Sequence, residues 1–294
     1  MRRARTSSGS PVALVAALLL VLVLAVPATA HGEVAARDAA PATGGVYLAL
    51  GDSLAASFQP KGDQHSGYAE QVFQLEQAAN PDLTLAKLGC PGERTNTIDR
   101  PRRLCHYAMG TQLDQAVAVL KDQDVAFVTL QIGSNDLFSC FRFGQGLFDQ
   151  TCVNERLPKV ADRLASIVET LRSADPDVPI VGMTYLNPLL ALWTAPGFPE
   201  NLVVQDADVW HAINDALAQT YAGLGVPVAD VEAAFSTSDF DTVVHTRGFG
   251  DLPLNVARVC QWSYVCATKG DDSHPNTIGY AAIARAVETA LATI

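Results

Sequence analysis

Short apolar runs alternate with helical periodicities along almost the whole chain, and this alternation restricts the fold more than any other feature. Runs suited to buried strands fall at 46–50, 83–88, 125–132, 179–183 and 226–230. Between them, apolar residues recur at three and four: Leu113, Ala116, Val117 and Leu120; Leu157, Val160, Ala161, Leu164, Ile167, Val168 and Leu171; Trp210, Ile213, Leu217, Tyr221 and Leu224. Ile283, Val287, Leu291 and Ile294 continue the pattern near the C-terminus. Strands separated by amphipathic helices connect in parallel, and a parallel sheet needs helices on both faces. The expected class is therefore α/β, a sheet between two helical layers.

The first residues read as an address. Arg2, Arg3 and Arg5 precede a continuous apolar stretch over 12–26, and Ala28-Thr29-Ala30 has the small residues of a cleavage site. The stretch is short for a membrane span and ends at Pro27. Residues 1–30 are expected to be a signal peptide of a secreted, extracellular protein, and 31–45, rich in Ala, Gly and Pro, a flexible leader. The remainder, 46–294, suits one domain with a substantial core. A formal charge of −11, more negative once three arginines leave with the address, argues against nucleic acid as a partner.

Six cysteines in an exported chain are most simply three disulfides. Six allow fifteen connectivities, but the spacing suggests neighbours: Cys90–Cys105, Cys140–Cys152 and Cys260–Cys266. A zinc site would need close Cys and His sets, which the sequence lacks, so no metal is expected. Two stretches, 138–153 and 235–268, have no convincing period, and each holds one of these pairs. Loops of that length inside a compact domain are usually functional or specially braced.

Four short elements carry groups for acyl transfer. Gly51-Asp52-Ser53-Leu54 follows the first strand run and offers a serine hydroxyl. Ala55 stands where the elbow of α/β-hydrolases has its second glycine, so this is a different turn. Gly89-Cys90-Pro91-Gly92-Glu93-Arg94-Thr95 follows the second run, and a glycine there lets a backbone N–H approach a ligand. Gly133-Ser134-Asn135-Asp136 follows the third and offers an amide to an oxyanion. Asp271-Asp272-Ser273-His274-Pro275 supplies an imidazole and carboxylates. The three-residue spacing favours Asp271 as the partner of His274, with Asp272 the alternative. His65, His106, His211 and His245 stand alone and read as surface or packing residues. In open parallel sheets, reactive groups gather at the carboxyl ends of strands, where Ser53, Gly92 and Asn135 fall.

In this order the four elements resemble the SGNH (GDSL-type) hydrolase family, over about Val46 to the C-terminus, and most of all its secreted, three-disulfide actinobacterial branch of lipases, esterases and phospholipases. The resemblance implies a flavodoxin-like three-layer α/β/α sandwich and a secreted serine hydrolase cleaving carboxylic esters. Ser53 would be the nucleophile, His274 the general base and then acid, and Asp271 the orienting acid. The Ser53 N–H, the Gly92 N–H and the Asn135 amide would form the oxyanion hole. Gly89 is a second candidate for the glycine, and some relatives orient the histidine with a backbone carbonyl instead. The mechanism needs no cofactor. The other readings are a carbohydrate O-deacetylase and a non-catalytic binding protein on the same scaffold.

For the substrate, Phe138, Phe141, Phe143 and Phe148, together with Leu189, Leu190, Trp193 and Trp262, either line an acyl pocket or pin two long loops to the core. Arg94, Arg100, Arg102 and Arg103 form a basic run in an acidic chain. It either pairs with neighbouring acids or meets an anionic head group. The expected partners are a small-molecule or lipid ester, with transient contact to a lipid surface, and the expected state is a monomer.

Overall fold

The protein is described here by a computed structural model covering residues 44–142, 145 and 147–294. The expected signal peptide, most of the leader and Phe143 lie outside the described residues. The first half runs β1 (Val46–Gly51), α1 (Tyr68–Gln77), β2 (Thr84–Lys87), α2 (Gln112–Asp122), β3 (Val125–Gln131) and α3 (Ser134–Phe138). A small hairpin, β4 (Phe141–Arg142) and β5 (Leu147–Phe148), leads into the long α4 (Gln150–Ala174). Then come β6 (Ile180–Met183), α5 (Glu200–Gly223), β7 (Val228–Ala229) and α6 (Val231–Ala234). A second hairpin, β8 (Val243–Thr246) and β9 (Gly250–Pro253), precedes α7 (Leu254–Trp262) and α8 (Thr277–Leu291).

Five strands form one sheet in the order β2-β1-β3-β6-β7, every pair parallel. Helices α2, α4 and α5 pack with one another in one layer, and α1, α6, α7 and α8 in the other. This is the α/β/α sandwich with the flavodoxin-like strand order. The central strands are mostly apolar because both faces are covered: β1 and β6 are wholly buried and β3 nearly so, whereas the edge strand β2 carries Thr84 and Lys87 and is partly exposed. In this order the chain reverses its direction of growth between β1 and β3, and the crevice outside their carboxyl ends is the usual place for a ligand.

Helix starts follow local chemistry. Thr111, Asp149 and Asn276 accept backbone N–H groups at the starts of α2, α4 and α8, the ordinary work of a capping side chain. The sequence reading departs from the structure in four places. The stretch at 138–153 contains the β4–β5 hairpin and the first turn of α4, and 235–268 contains β8, β9 and the helix α7. Helix α7 has nine residues and starts after Pro253 with no side-chain cap, too short for a period to stand out. Helix α1 buries only Tyr68, Ala69 and Val72 and gave a weak signal for the same reason. The fifth strand is two residues long, shorter than its apolar run.

One close contact ties a helical layer to the sheet. Tyr221 of α5 is fully buried and donates its hydroxyl to the Leu130 carbonyl of β3 at 2.9 Å. Its ring lies where a side chain on Gly182 would be, with a Cβ there 2.4 Å from the ring carbons. Gly182→Ala is therefore expected to destabilise the protein by about 1–3 kcal/mol through overpacking. Urea unfolding measures this; a change below about 0.5 kcal/mol, within the noise of a harmless surface substitution, would show that the ring can yield.

Candidate active site

Ser53 sits in a single turn directly after β1. Asp52 N–H donates to the Gln131 carbonyl of β3 at 3.1 Å, and Ala56 and Phe58 N–H groups close the turn on the Asp52 and Ser53 carbonyls. The Asp52 carboxylate faces inward. Its Oδ1 accepts the Leu54 N–H at 3.0 Å, and its Oδ2 accepts the Tyr185 hydroxyl at 2.7 Å and the Ser134 hydroxyl at 3.4 Å. Tyr185, at the end of β6, is itself clamped by Asn214, which bonds both its N–H and its carbonyl. Ser53 is thus held from beneath by groups from three strand ends. Its side chain is half-buried, and neither its hydroxyl nor its N–H has a hydrogen-bond partner among the described residues.

The second element forms a tight turn. Cys90 N–H donates to the Gly51 carbonyl, Glu93 N–H returns to the Cys90 carbonyl, and Gly92 has φ +75°. Proline followed by a glycine of positive φ is the signature of a type II turn. It leaves the Gly92 N–H without a partner among the described residues. Arg102 braces the turn, donating to the Gly92 carbonyl at 3.4 Å and facing the buried Glu93 carboxylate at 3.5 Å. Asn135, in the first turn of α3, donates through Nδ2 to the Glu93 carbonyl at 3.0 Å. Next to it the Asp136 carboxylate takes the N–H and hydroxyl of Thr95 at 2.9 and 2.8 Å. The second and third elements are therefore one hydrogen-bonded unit.

His274 lies in the loop before α8. Its Nδ1 is 2.8 Å from Oδ1 of Asp272, the same oxygen that accepts the His274 N–H at 2.9 Å. The carboxylate that meets the imidazole is thus Asp272, not Asp271, which is exposed. A three-residue reach suits a helix, but this segment is not helical. In a turn, an aspartate carboxylate folds back on the residue two positions on, and Thr268 fixes that turn by bonding both the N–H and the carbonyl of Asp272. Adjacent aspartates left the choice open, and the Asx-turn pattern Asp-Ser-His was the signal that selects the second.

The ends of the chain are joined here by specific bonds. Tyr280 of α8 donates to the Phe58 carbonyl at 2.7 Å across 222 positions, and Tyr264 donates to the Gln59 side chain at 3.1 Å across 205. The Phe58 and His274 rings lie 4.8 Å apart. As a result Ser53, Gly92, Asn135 and His274 line one cavity of about 330 Å³ at the carboxyl ends of β1 and β3. Gly89 is not part of it: a Cβ there would sit 2.3 Å from the Ala56 N, so this glycine is needed for close packing against the Ser53 turn.

The cavity's apolar wall is Leu54, Phe58, Phe138, Leu186, Pro188 and Trp210. Among the described residues considered for an acyl pocket, only Phe138 lines it. Phe141 and Phe148 stack beneath, with Phe148 against Trp210, while Trp193 packs on Phe240 and Trp262 on Phe235. Leu189 and Leu190 are buried in the core. All three disulfides pair neighbours, Cys90–Cys105, Cys140–Cys152 and Cys260–Cys266. His211 and His245 are not solitary, since Glu232 and Asp251 lie 3.1 and 2.9 Å from them. Among the described residues no group of three His, Cys, Asp or Glu could hold a metal ion, and no helix is long and apolar enough to cross a membrane.

A flavodoxin-like sandwich with a serine, a carboxylate-bound histidine and unengaged amides around one crevice has the architecture of an α/β hydrolase of the SGNH type. The profile of the GDSL-like Lipase/Acylhydrolase family matches residues 49–282, and the chain belongs to that family, one of ester hydrolases. Its fold is shared by the extracellular lipase of Streptomyces rimosus (TM-score 0.56, 18% identity, 84% of this chain and 99% of that one). It is shared equally by phospholipase A1 of Streptomyces albidoflavus (TM-score 0.54, 18% identity, 84% of this chain and 100% of that one). No curated protein sequence matches the chain.

Burial raises the pKa of Asp52 from 3.8 to about 6, against the lowering effect of its hydrogen bonds to Leu54, Tyr185 and Ser134. A carboxyl with a folded pKa above its unfolded one takes up a proton on folding. Its full stabilising contribution is present below pH ~4 and is lost as the pH rises through about 6, a change on the order of 3 kcal/mol. Asp206, also raised to about 6 by burial, adds a second contribution in the same window. Asp52→Asn is expected to flatten the fall in stability between pH 4 and 6.5 while leaving the Asp206 part. Urea midpoints across that range measure it, and a slope identical to that of the parent would refute the assignment.

Proposed function

We propose that the chain is a secreted serine hydrolase that cleaves lipid-like carboxylic esters, in which Ser53 is the nucleophile, His274 the general base and then acid, and Asp272 the residue that orients His274. The observation that carries this reading is the shared cavity: Ser53, Gly92, Asn135 and His274 on its wall, with His274 Nδ1 held by a carboxylate. An Nδ1–H directed at Asp272 leaves the Nε2 lone pair to take the Ser53 proton. The serine oxygen adds to the ester carbonyl, and negative charge develops on the carbonyl oxygen. The Ser53 and Gly92 N–H groups and the second Nδ2 hydrogen of Asn135 are the donors for that charge. Collapse expels the alcohol, which takes the proton from His274, and water then releases the acid by the same steps in reverse order.

The apolar wall supports an acyl chain over the acetyl group of a decorated sugar, because an acetyl would leave most of that surface facing water. The complete set of reactive groups speaks for catalysis over binding alone. Three disulfides support an oxidising, extracellular setting, with 1–30 as the removed signal, 31–45 as leader and 46–294 as the hydrolase domain. That setting, with the six-cysteine pattern, supports a reading of the chain as one of the secreted actinobacterial branch of its family.

A serine-directed phosphonate should label the parent and leave Ser53→Ala unlabelled; label retained by the variant would remove the nucleophile from Ser53. Asp272→Asn is expected to lower kcat by about 10³–10⁴-fold, as removal of a triad carboxylate does, with Asp271→Asn near the parental rate. The reverse result would return the orienting role to Asp271. Asn135→Ala should cost about a hundredfold or more in kcat without loss of fold. For the acyl group, kcat/KM should be about tenfold or more higher for p-nitrophenyl octanoate than for the acetate, the effect of burying about two methylenes at ~0.8 kcal/mol each. Equal values would favour the deacetylase reading.

A further inference from the structure

A second pocket, of about 270 Å³, is lined by Asp136 and shares no residue with the catalytic cavity. Its wall carries Arg94, Arg156, Lys159 and Arg163 around a single carboxylate, that of Asp136. In a chain of net charge −11 this is a local reversal of sign. Positions 156, 159 and 163 are spaced three and four apart and so form one stripe along α4, and Arg94 faces them from the turn that follows Gly92.

The fold sets one carboxylate, that of Asp136, against these four cations. Asp136 already accepts two hydrogen bonds from Thr95, and Arg163 stands 3.8 Å from it. Arg156 is fixed by donating to the Asp136 carbonyl and the Ser139 hydroxyl. Neither Arg94 nor Lys159 makes an ion pair among the described residues. Like charges one turn apart on a helix repel, so the stripe weakens α4 unless something negative sits beside it. The pocket also holds Asn96, whose side-chain oxygen is buried without a hydrogen-bond partner. Turning that amide over would present an N–H to the same space.

We infer that this pocket binds a phosphate-bearing anion, as a site separate from the catalytic cavity. Guanidinium groups offer paired donors that match phosphate oxygens, and the ammonium of Lys159 adds a point charge. The shared chemistry is a tetrahedral oxyanion, and its source is either free phosphate or the head group of an anionic lipid. The inference does not depend on the esterase mechanism, since binding is read without turnover.

The test is isothermal titration of inorganic phosphate into the parent and into Arg94→Gln/Lys159→Gln at low ionic strength. These two side chains hold no structural bond, and an unchanged thermal midpoint without phosphate confirms that the variant folds. The parent is expected to bind saturably with a dissociation constant of about 1 mM or tighter, and the variant about tenfold or more weaker. Phosphate should raise the unfolding midpoint of the parent more than that of the variant. Co-sedimentation with phosphatidylcholine vesicles, with and without phosphatidylglycerol, separates the sources. Anionic vesicles that retain the parent, release the variant and are displaced by phosphate assign the head group. Phosphate binding without vesicle binding assigns the free ion. Absence of saturable binding in both arms, or equal binding by parent and variant, overturns the site.

Discussion

The parallel pairing of β1 with β3 is the constraint from which the site follows. Where the two strands end, backbone meets backbone so closely that a Cβ on Gly51 would lie 1.9 Å from the Gln131 carbonyl oxygen, and Gly51 adopts φ +132°. Only glycine serves there. The exposed peptide groups at this point are then satisfied from the side: Gln112 accepts the Gly51 N–H at 2.7 Å and donates to its carbonyl at 3.0 Å, and Cys90 N–H reaches the same carbonyl. One residue thus fixes the exit of β1, the start of α2 and the loop after β2 relative to one another. Ser53, two residues on, inherits its position from that knot, and so does Gly92.

Much of this was legible in the sequence, for a physical reason. Strands covered on both faces are mostly apolar, so the runs were visible, and their alternation with helical periods pointed to the parallel sheet. The serine, the Pro-Gly turn and the histidine loop announced themselves because each is a short-range pattern. What stayed hidden depends on contacts distant in sequence. Tyr185 meets Asp52 across 133 positions, and no local pattern marks either as a partner of the other. The cavity wall is drawn from Leu54, Phe58, Leu186 and Trp210, residues whose apolar character fits an ordinary core equally well. The aromatics of the 138–153 stretch mostly stack on one another, which composition cannot distinguish from lining a pocket.

Asp272 shows how local geometry decides a role. Both aspartates have the right chemistry, and separation along the chain favoured Asp271. The backbone between Lys269 and Asn276 is irregular, however, and its carbonyls and N–H groups are used by Thr268, Tyr264 and Trp262. That bonding turns the Asp272 carboxylate toward its neighbour two residues on. Spacing rules carried over from helices therefore fail at the very segment that carries His274.

The disulfides extend the same logic. Each bridge spans at most 15 positions, so none ties distant parts of the sheet together, and the sheet has its own buried core to hold it. Instead each lies beside one of the irregular segments around the cavity. Cys90–Cys105 closes the loop that presents Gly92, and Cys140–Cys152 ties the hairpin after Phe138 to the first turn of α4. Cys260–Cys266 joins the end of α7 to the turn after it, in which the Tyr264 N–H donates to the His274 carbonyl. Segments with little regular secondary structure would otherwise sample more arrangements. Crosslinking them locally reduces that freedom around the cavity that Ser53, Gly92, Asn135 and His274 line, while the sheet behind them has its own buried core.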